Sequence, residues 1–180
     1  EKFKWYSYEK KRIKNGTAYK CPSHSLTNKL KTLYSIPSKQ VAVIKNPIEP
    51  DYYSSTDKIK IPKEKYKNRF DILFSGRLER RKGAEIMLRT IRGILDIHRS
   101  INIIFAGETE VDKSINFQNE IESLIQKTSR KRISFLGPLN KENLVIQLAQ
   151  SDLFLFPSLF ENAPYAILEA MVSKIPVLGS

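Results

Sequence analysis

From Phe70 to Ser180 the chain alternates short, uninterrupted apolar runs with amphipathic stretches, and this alternation constrains the fold more than any other feature. FDILFSG (70–76), INIIFAG (101–107), RISFLG (132–137) and DLFLFP (152–157) are continuous apolar runs, as strands buried on both faces require. Between them, residues 83–98 place Met87, Ile91, Ile94 and Leu95 on one helical face. Residues 114–129 do the same with Phe117, Ile121, Leu124 and Ile125. Lys141–Gln150 reads as a short helix capped by Asn140, 163–173 as the next helix, and IPVLGS as the start of a fifth strand. Strict alternation of this kind implies right-handed βαβ units: an α/β chain with a Rossmann-like parallel sheet and helices on both faces. A doubly wound sheet ordinarily carries a further strand and covering helices, so the domain is expected to be truncated at its C-terminus.

The first third is irregular. Residues 1–16 read as a basic helix end closed by Asn15-Gly16, TAYKCPS (17–23) as a short strand, and Ser25–Tyr34 as a short helix. VAVIKNPIEP (41–50) is a strand that runs into two prolines, which cannot continue a central ladder. Residues 47–69 are polar and rich in tyrosine and lysine without a period, and are expected to form a linker and hinge, with a boundary near Pro47. The expected layout is therefore an end of one domain at 1–46, a linker at 47–69, and a second domain at 70–180.

Charge follows the same division. The net charge is +12, yet residues 71–180 carry 14 basic against 13 acidic residues, while residues 1–70 carry 17 against 6. The basic character thus belongs to the first third. Attraction to an acidic membrane surface or an anionic partner, and a merely solvated lysine-rich face, account for it equally well. Nucleic acid is not expected as a partner, because the aromatics do not interleave with the basic residues as a stacking platform requires. No apolar run approaches a membrane span and the charged N-terminus is no signal peptide, so the expected location is cytoplasmic, with the inner membrane face as the place for a basic third. The single cysteine, Cys21, reads as a small buried hydrophobe. His24 and His98 lie near no cysteine or carboxylate cluster, so no protein-built metal site is expected.

Two stretches carry chemistry. In SGRLERRKGAE (75–85), Gly76 ends a strand and Lys82-Gly83 opens a helix, an arrangement whose backbone N–H groups can face phosphate oxygens. Arg77 can fork onto phosphate and Lys82 can add a point charge. Arg81 stands where a Walker loop would need its second glycine, and the stretch is not GxGxxG either. Taken alone, it is equally an ordinary basic surface turn. In PSLFENAPYAILEAM (157–171), Glu161 falls in a loop at a strand's carboxyl end, Asn162 can cap the next helix, and Pro164 suits its first turn. Glu169 lies more than one turn along that helix, which argues against a glycosidase acid–base pair flanking one bond. A carboxylate also accepts two neighbouring hydroxyls, such as a ribose diol. Leu168, Ala170 and Met171 around Glu169 are apolar, so a largely buried carboxylate with a partner is expected rather than a solvated one. Tyr165 is expected to pack in the core.

Arg77, Lys82, Glu161 and Glu169 all fall at carboxyl ends of strands or on the helices that follow, hence on one edge of one sheet. The order GRLERRKG, FAGE, ISFLGPL, DLFLFPSLFENAPYAILEAM, IPVLGS resembles the donor domain of retaining glycosyltransferases of family 4, which have the GT-B fold. VAVIKNPIE resembles that family's crossing from acceptor to donor domain, and CPSHSLTNKL the end of its acceptor domain. The resemblance implies a transferase that moves a sugar from a nucleotide-diphosphate sugar to a glycan or lipid-linked acceptor, with retention and with domain closure about Asn46 and Pro47. It implies that Arg77 and Lys82 hold the donor pyrophosphate and stabilise the leaving charge, with Gly76 letting the backbone approach. Glu161 would face the sugar, and the backbone amides of Asn162, Ala163, Pro164's loop and Tyr165 would meet sugar hydroxyls or phosphate. Glu169 would bind the ribose hydroxyls, and the main chain of Pro138 and Leu139 would lie against the base. It implies no cofactor beyond the substrate and no protein-bound metal.

Two departures stand out. ENAP replaces the family's commoner Glu-Gly-Phe start, so donor-sugar identity stays open, and Lys174 stands where a glycine is usual. Other readings remain: a related GT-B epimerase or phosphorylase using the same phosphate edge, or a non-catalytic basic fragment that binds membranes or nucleic acid through residues 1–70.

Overall fold

The computed structural model describes residues 13, 15–54, 68–108, 117–125 and 127–180. Most of the basic stretch 1–14, most of the linker 55–67 and the start of the 114–129 helix lie outside the described residues.

The chain forms two compact units: Glu1–Pro47 together with Glu161–Pro164, and Ile48–Phe160 together with Tyr165–Ser180. In the first, strands β1 (Tyr19–Cys21) and β2 (Val41–Val43) pair in parallel, with Lys20 opposite Ala42. Helix α1 (His24–Tyr34) joins them. Its cap is Ser23, whose side chain accepts from the Leu26 amide at 3.2 Å, satisfying one donor that a helix start leaves unpaired. Cys21 is fully buried, as a small hydrophobe. β2 is shorter than the sequence suggests.

The second unit carries a five-stranded, all-parallel sheet: β3 (Phe70–Ser75), β4 (Ile101–Ala106), β5 (Ile133–Phe135), β6 (Leu153–Phe156) and β7 (Val177–Gly179), in the spatial order β5-β4-β3-β6-β7. Its helices are α2 (Pro50–Ser54), α3 (Ala84–Ile97), α4 (Phe117–Leu124), α5 (Lys127–Arg130), α6 (Lys141–Gln150) and α7 (Tyr165–Val172). The continuous apolar strands are explained by two cores. Successive residues Ile103, Ile104, Phe105 and Ala106 go alternately to the two faces, as do Leu73 and Phe74. One face packs α3 and α4 through Met87, Ile91, Leu95, Phe117 and Ile121, and the other packs Tyr53, Val145, Leu148 and Ala170 from α2, α6 and α7. Burial on both faces leaves no position for a polar alternation.

Three elements differ from the sequence reading. The expected linker contains α2, whose Tyr53 is only 4% exposed and belongs to the core. The expected helix over 114–129 is two pieces, broken at Ile125. The physical reason is tertiary: Arg132 donates to the carbonyls of Leu95 (2.6 Å) and His98 (2.9 Å) at the end of α3 and to Ser129 Oγ (2.9 Å), drawing buried Ser129 inward. Last, α7 begins at Tyr165, two residues later than expected, so Asn162 lies outside the cap position.

Candidate functional site

In a sheet whose strands run third-second-first-fourth-fifth, chain crossings reverse direction between β3 and β6, and ligands bind at the carboxyl edge around that point. A cleft of about 280 Å³ opens on this edge, lined by Ser75, Gly76 and Arg77 after β3, Ala106, Gly107 and Glu108 after β4, and Pro138, Leu139 and Leu144. Its floor is bare backbone. Gly107 has φ +145, and a Cβ there would lie 2.1 Å from the Gly76 carbonyl oxygen, so no side chain fits between the two strand ends. The Gly76 amide donates to Ala106 O at 2.8 Å and the Gly107 amide to Gly137 O at 2.8 Å, which knits the ends of β3, β4 and β5 into one surface.

The basic turn lies beside it. Arg80–Lys82 form a single 3-10 turn, and Gly83, at φ 83, caps α3. A Cβ at Gly83 would meet the Pro157 carbonyl at 2.1 Å, so the start of α3 sits directly on the chain leaving β6. The Leu159 amide donates to Arg81 O at 2.9 Å, fastening the same two segments. The amides of Lys82 and Ala84 are taken by Glu79 O, that of Gly83 by Arg80 O, that of Glu79 by Arg77 O and that of Leu78 by Glu108 O. These five amides are already engaged within the protein. Arg77, 53% exposed, lines the cleft and lies 3.8 Å from Glu79 Oε1, which Arg81 holds more tightly at 2.7 Å. Lys82 Nζ lies 5.8 Å from the centre of the Phe156 ring.

Glu169 on α7 is half-buried, as its apolar neighbours imply, and it has a partner. Tyr53 Oη donates to Glu169 Oε1 at 2.8 Å. Burial, then this hydrogen bond and the carboxylate's charge, hold the Tyr53 phenol protonated far above its usual range. Tyr165 is the opposite of its expectation: at the outset of α7 it is 50% exposed rather than core. Glu161, Asn162, Ala163 and Pro164 belong to the first unit, where Asn46 Nδ2 donates to the Ala163 carbonyl at 2.7 Å.

Of the predicted residues, then, Gly76, Arg77, Pro138 and Leu139 line one cleft, Lys82, Tyr165 and Glu169 lie in the same unit outside its lining, and the four from Glu161 to Pro164 fall in the other unit. The sequence reading did not single out Gly107, Glu108, Leu144 or Tyr53. Gly107 had a signal, since it follows β4 as Gly76 follows β3. Tyr53 had none, because its partner lies 116 residues away. Among the described residues, no three His, Cys, Asp or Glu side chains gather in a way that could hold a metal ion, and no helix is long and apolar enough to cross a membrane.

This fold is that of a known class. Residues 55–180 match the family model of glycosyl transferases group 1, and the chain belongs to that family. It is similar to an uncharacterized glycosyltransferase of Methanocaldococcus jannaschii, with 28% identity over 165 residues, 88% of this chain and 40% of the relative. Among solved structures, a glycosyltransferase from Rickettsia africae superposes with a TM-score of 0.74 at 20% identity over 94% of this chain and 47% of its own. Anabaena HepE, solved with UDP and glucose, superposes with a TM-score of 0.70 at 19% identity over 91% of this chain and 44% of its own. The chain thus has the Rossmann-like fold of GT-B glycosyltransferase structures and spans less than half the length of these relatives.

Proposed function

We propose that this chain supplies the donor-binding half of a retaining, family 4-type glycosyltransferase that moves a sugar from a nucleotide-diphosphate sugar to a glycan or lipid-linked acceptor. The observation that carries the reading is the glycine-floored cleft at the carboxyl edge of the sheet with Arg77 on its rim, in a member of the group 1 family. In this reading the base lies against Pro138 and Leu139, Glu169 accepts from the ribose hydroxyls, and Arg77 and Lys82 meet the diphosphate. Transfer breaks the bond between the anomeric carbon and the β-phosphate oxygen and forms one to an acceptor hydroxyl oxygen, whose proton passes to the departing diphosphate. The negative charge that grows on the departing diphosphate is stabilised by the Arg77 and Lys82 side chains in place of a protein-bound cation. That role suits a loop in which the amides of residues 78, 79 and 82–84 are already engaged. Glu161 and the chain from Asn162 to Tyr165 are assigned to the sugar.

Because HepE was solved with UDP and glucose, UDP-glucose is the first donor to try. The test is a thermal-shift screen of UDP-, GDP- and ADP-sugars on the full-length protein. Stabilisation by one base class supports the reading, and no stabilisation by any of them overturns it. Retention is read separately, from the anomeric configuration of the product. The cytoplasmic membrane face is proposed as the location, through the basic residues of 1–70; binding to anionic vesicles that does not fall with salt would contradict this.

A further inference from the structure

We infer that Tyr53 is a positioning residue for nucleotide recognition: its hydroxyl fixes the Glu169 carboxylate in the one orientation that accepts a ribose diol. The inference rests on the assignment of Glu169 to the ribose. Three observations carry it. Tyr53 Oη donates to Glu169 Oε1 at 2.8 Å, and the ring is 4% exposed in the same core cluster as Ala106, with Leu139 and Leu144 packed against it. Those three residues also line the cleft, so the tyrosine belongs to the core that backs the cleft while its hydroxyl reaches the carboxylate. Second, α2 is itself held: Lys141 Nζ lies 3.9 Å from the Tyr52 ring centre and pairs with Glu49 at 3.0 Å, and Tyr52 packs edge-on to Tyr53 at 5.6 Å. Lys141 is the first residue of α6, which follows the Pro138–Leu139 wall directly. Third, an ionised carboxylate has about four acceptor positions on two oxygens, and a bond to Oε1 leaves Oε2 and the remaining lone pairs available while stopping rotation about the terminal torsion. That torsion is otherwise broad and soft. A preset carboxylate loses less freedom when the ligand arrives.

The role is distinct from holding α7 in place, because it depends on the ligand having hydroxyls to read. Binding of UDP, GDP and ADP, and of their 2′-deoxy and 3′-deoxy forms, is measured by calorimetry on full-length wild type, Tyr53→Phe and Glu169→Ala. Wild type should prefer the ribose form. Tyr53→Phe should weaken ribonucleotide binding about 5- to 10-fold and leave the deoxy forms nearly unchanged, so that the preference collapses, with the melting temperature little altered. Equal weakening for ribo and deoxy forms would overturn the inference, since a merely structural loss acts on both. If Glu169→Ala keeps the preference, or no nucleotide binds wild type, the ribose assignment itself has failed. If Glu169→Ala loses the preference and Tyr53→Phe keeps it, only the role of Tyr53 has failed. Should Tyr53→Phe not fold, NMR of ring-labelled tyrosine in wild type decides instead. The Tyr53 signal should move with a ribonucleotide and stay with its 2′,3′-dideoxy analogue, and identical movement with both overturns the inference.

Discussion

Lys174 is held at φ 58, in the left-handed region that L side chains rarely adopt. It closes α7 with a Schellman motif: Ile175 N donates to Ala170 O at 3.2 Å and Lys174 N to Met171 O at 3.1 Å, with Ile175 and Ala170 both buried. A glycine there is free of the Cβ clash that costs an L residue about 1–2 kcal/mol. Lys174→Gly should therefore raise unfolding free energy by roughly 1 kcal/mol in urea titration, and an unchanged midpoint would contradict the backbone argument. Gly83 presents the reverse case. Its φ of 83 and the 2.1 Å approach of any Cβ to Pro157 O mean that Gly83→Ala must push α3 away from the chain leaving β6. A loss of roughly 3 kcal/mol is expected, accompanied by weaker binding of any anion that Arg77 and Lys82 hold. Denaturation midpoints and calorimetry read the two effects separately.

At the scale of elements, α6 is the most locally determined piece. Asn140 Oδ1 accepts from the Asn143 amide at 2.8 Å, as the sequence alone implies. Asn140→Ala should cost about 1 kcal/mol and, by loosening the chain that carries Pro138 and Leu139, blunt discrimination among nucleotide bases. Base preference measured as a ratio of affinities would stay constant if that wall were held by other means. Strands and helices of this kind were legible because their signal is local: an apolar run, a 3.6-residue period, an Asn before an amphipathic stretch. The break at Ile125 and helix α2 were not, because their causes are distant. Arg132 reaches back to the end of α3, and Tyr53 reaches forward to Glu169. Likewise, Arg77, just after a strand, and Glu169, on the helix that follows one, could be singled out as candidate ligands from the sequence. That the 82–84 amides are spent on Glu79 and Arg80 could only emerge once the turn was built.

Across the whole molecule, the same long-range bond sets a response to alkali. The charged and titratable neighbours of the Tyr53 hydroxyl are Glu169, Tyr52 and Glu49, all of which oppose a phenolate after burial has already done so, and Lys141, whose Nζ lies 5.6 Å from the ring centre. The folded state thus keeps a proton that the unfolded chain releases near pH 10. Its stabilisation is complete below that pH and is lost as pH rises above it, because the unfolded state then binds fewer protons. Wild type should lose stability more steeply than Tyr53→Phe above about pH 10 in chemical denaturation, and parallel slopes would show that the phenol is not linked to folding.

The floor of the cleft carries a consequence for how such a protein can diverge. At Gly107 there is no volume for even a methyl group, because the Gly76 carbonyl fills the space, so mutation has nothing to write there that the sheet can hold. On the proposed reading, a change of nucleotide base would therefore be written around the mouth, in Glu108, Pro138, Leu139 and Leu144, rather than at Gly107.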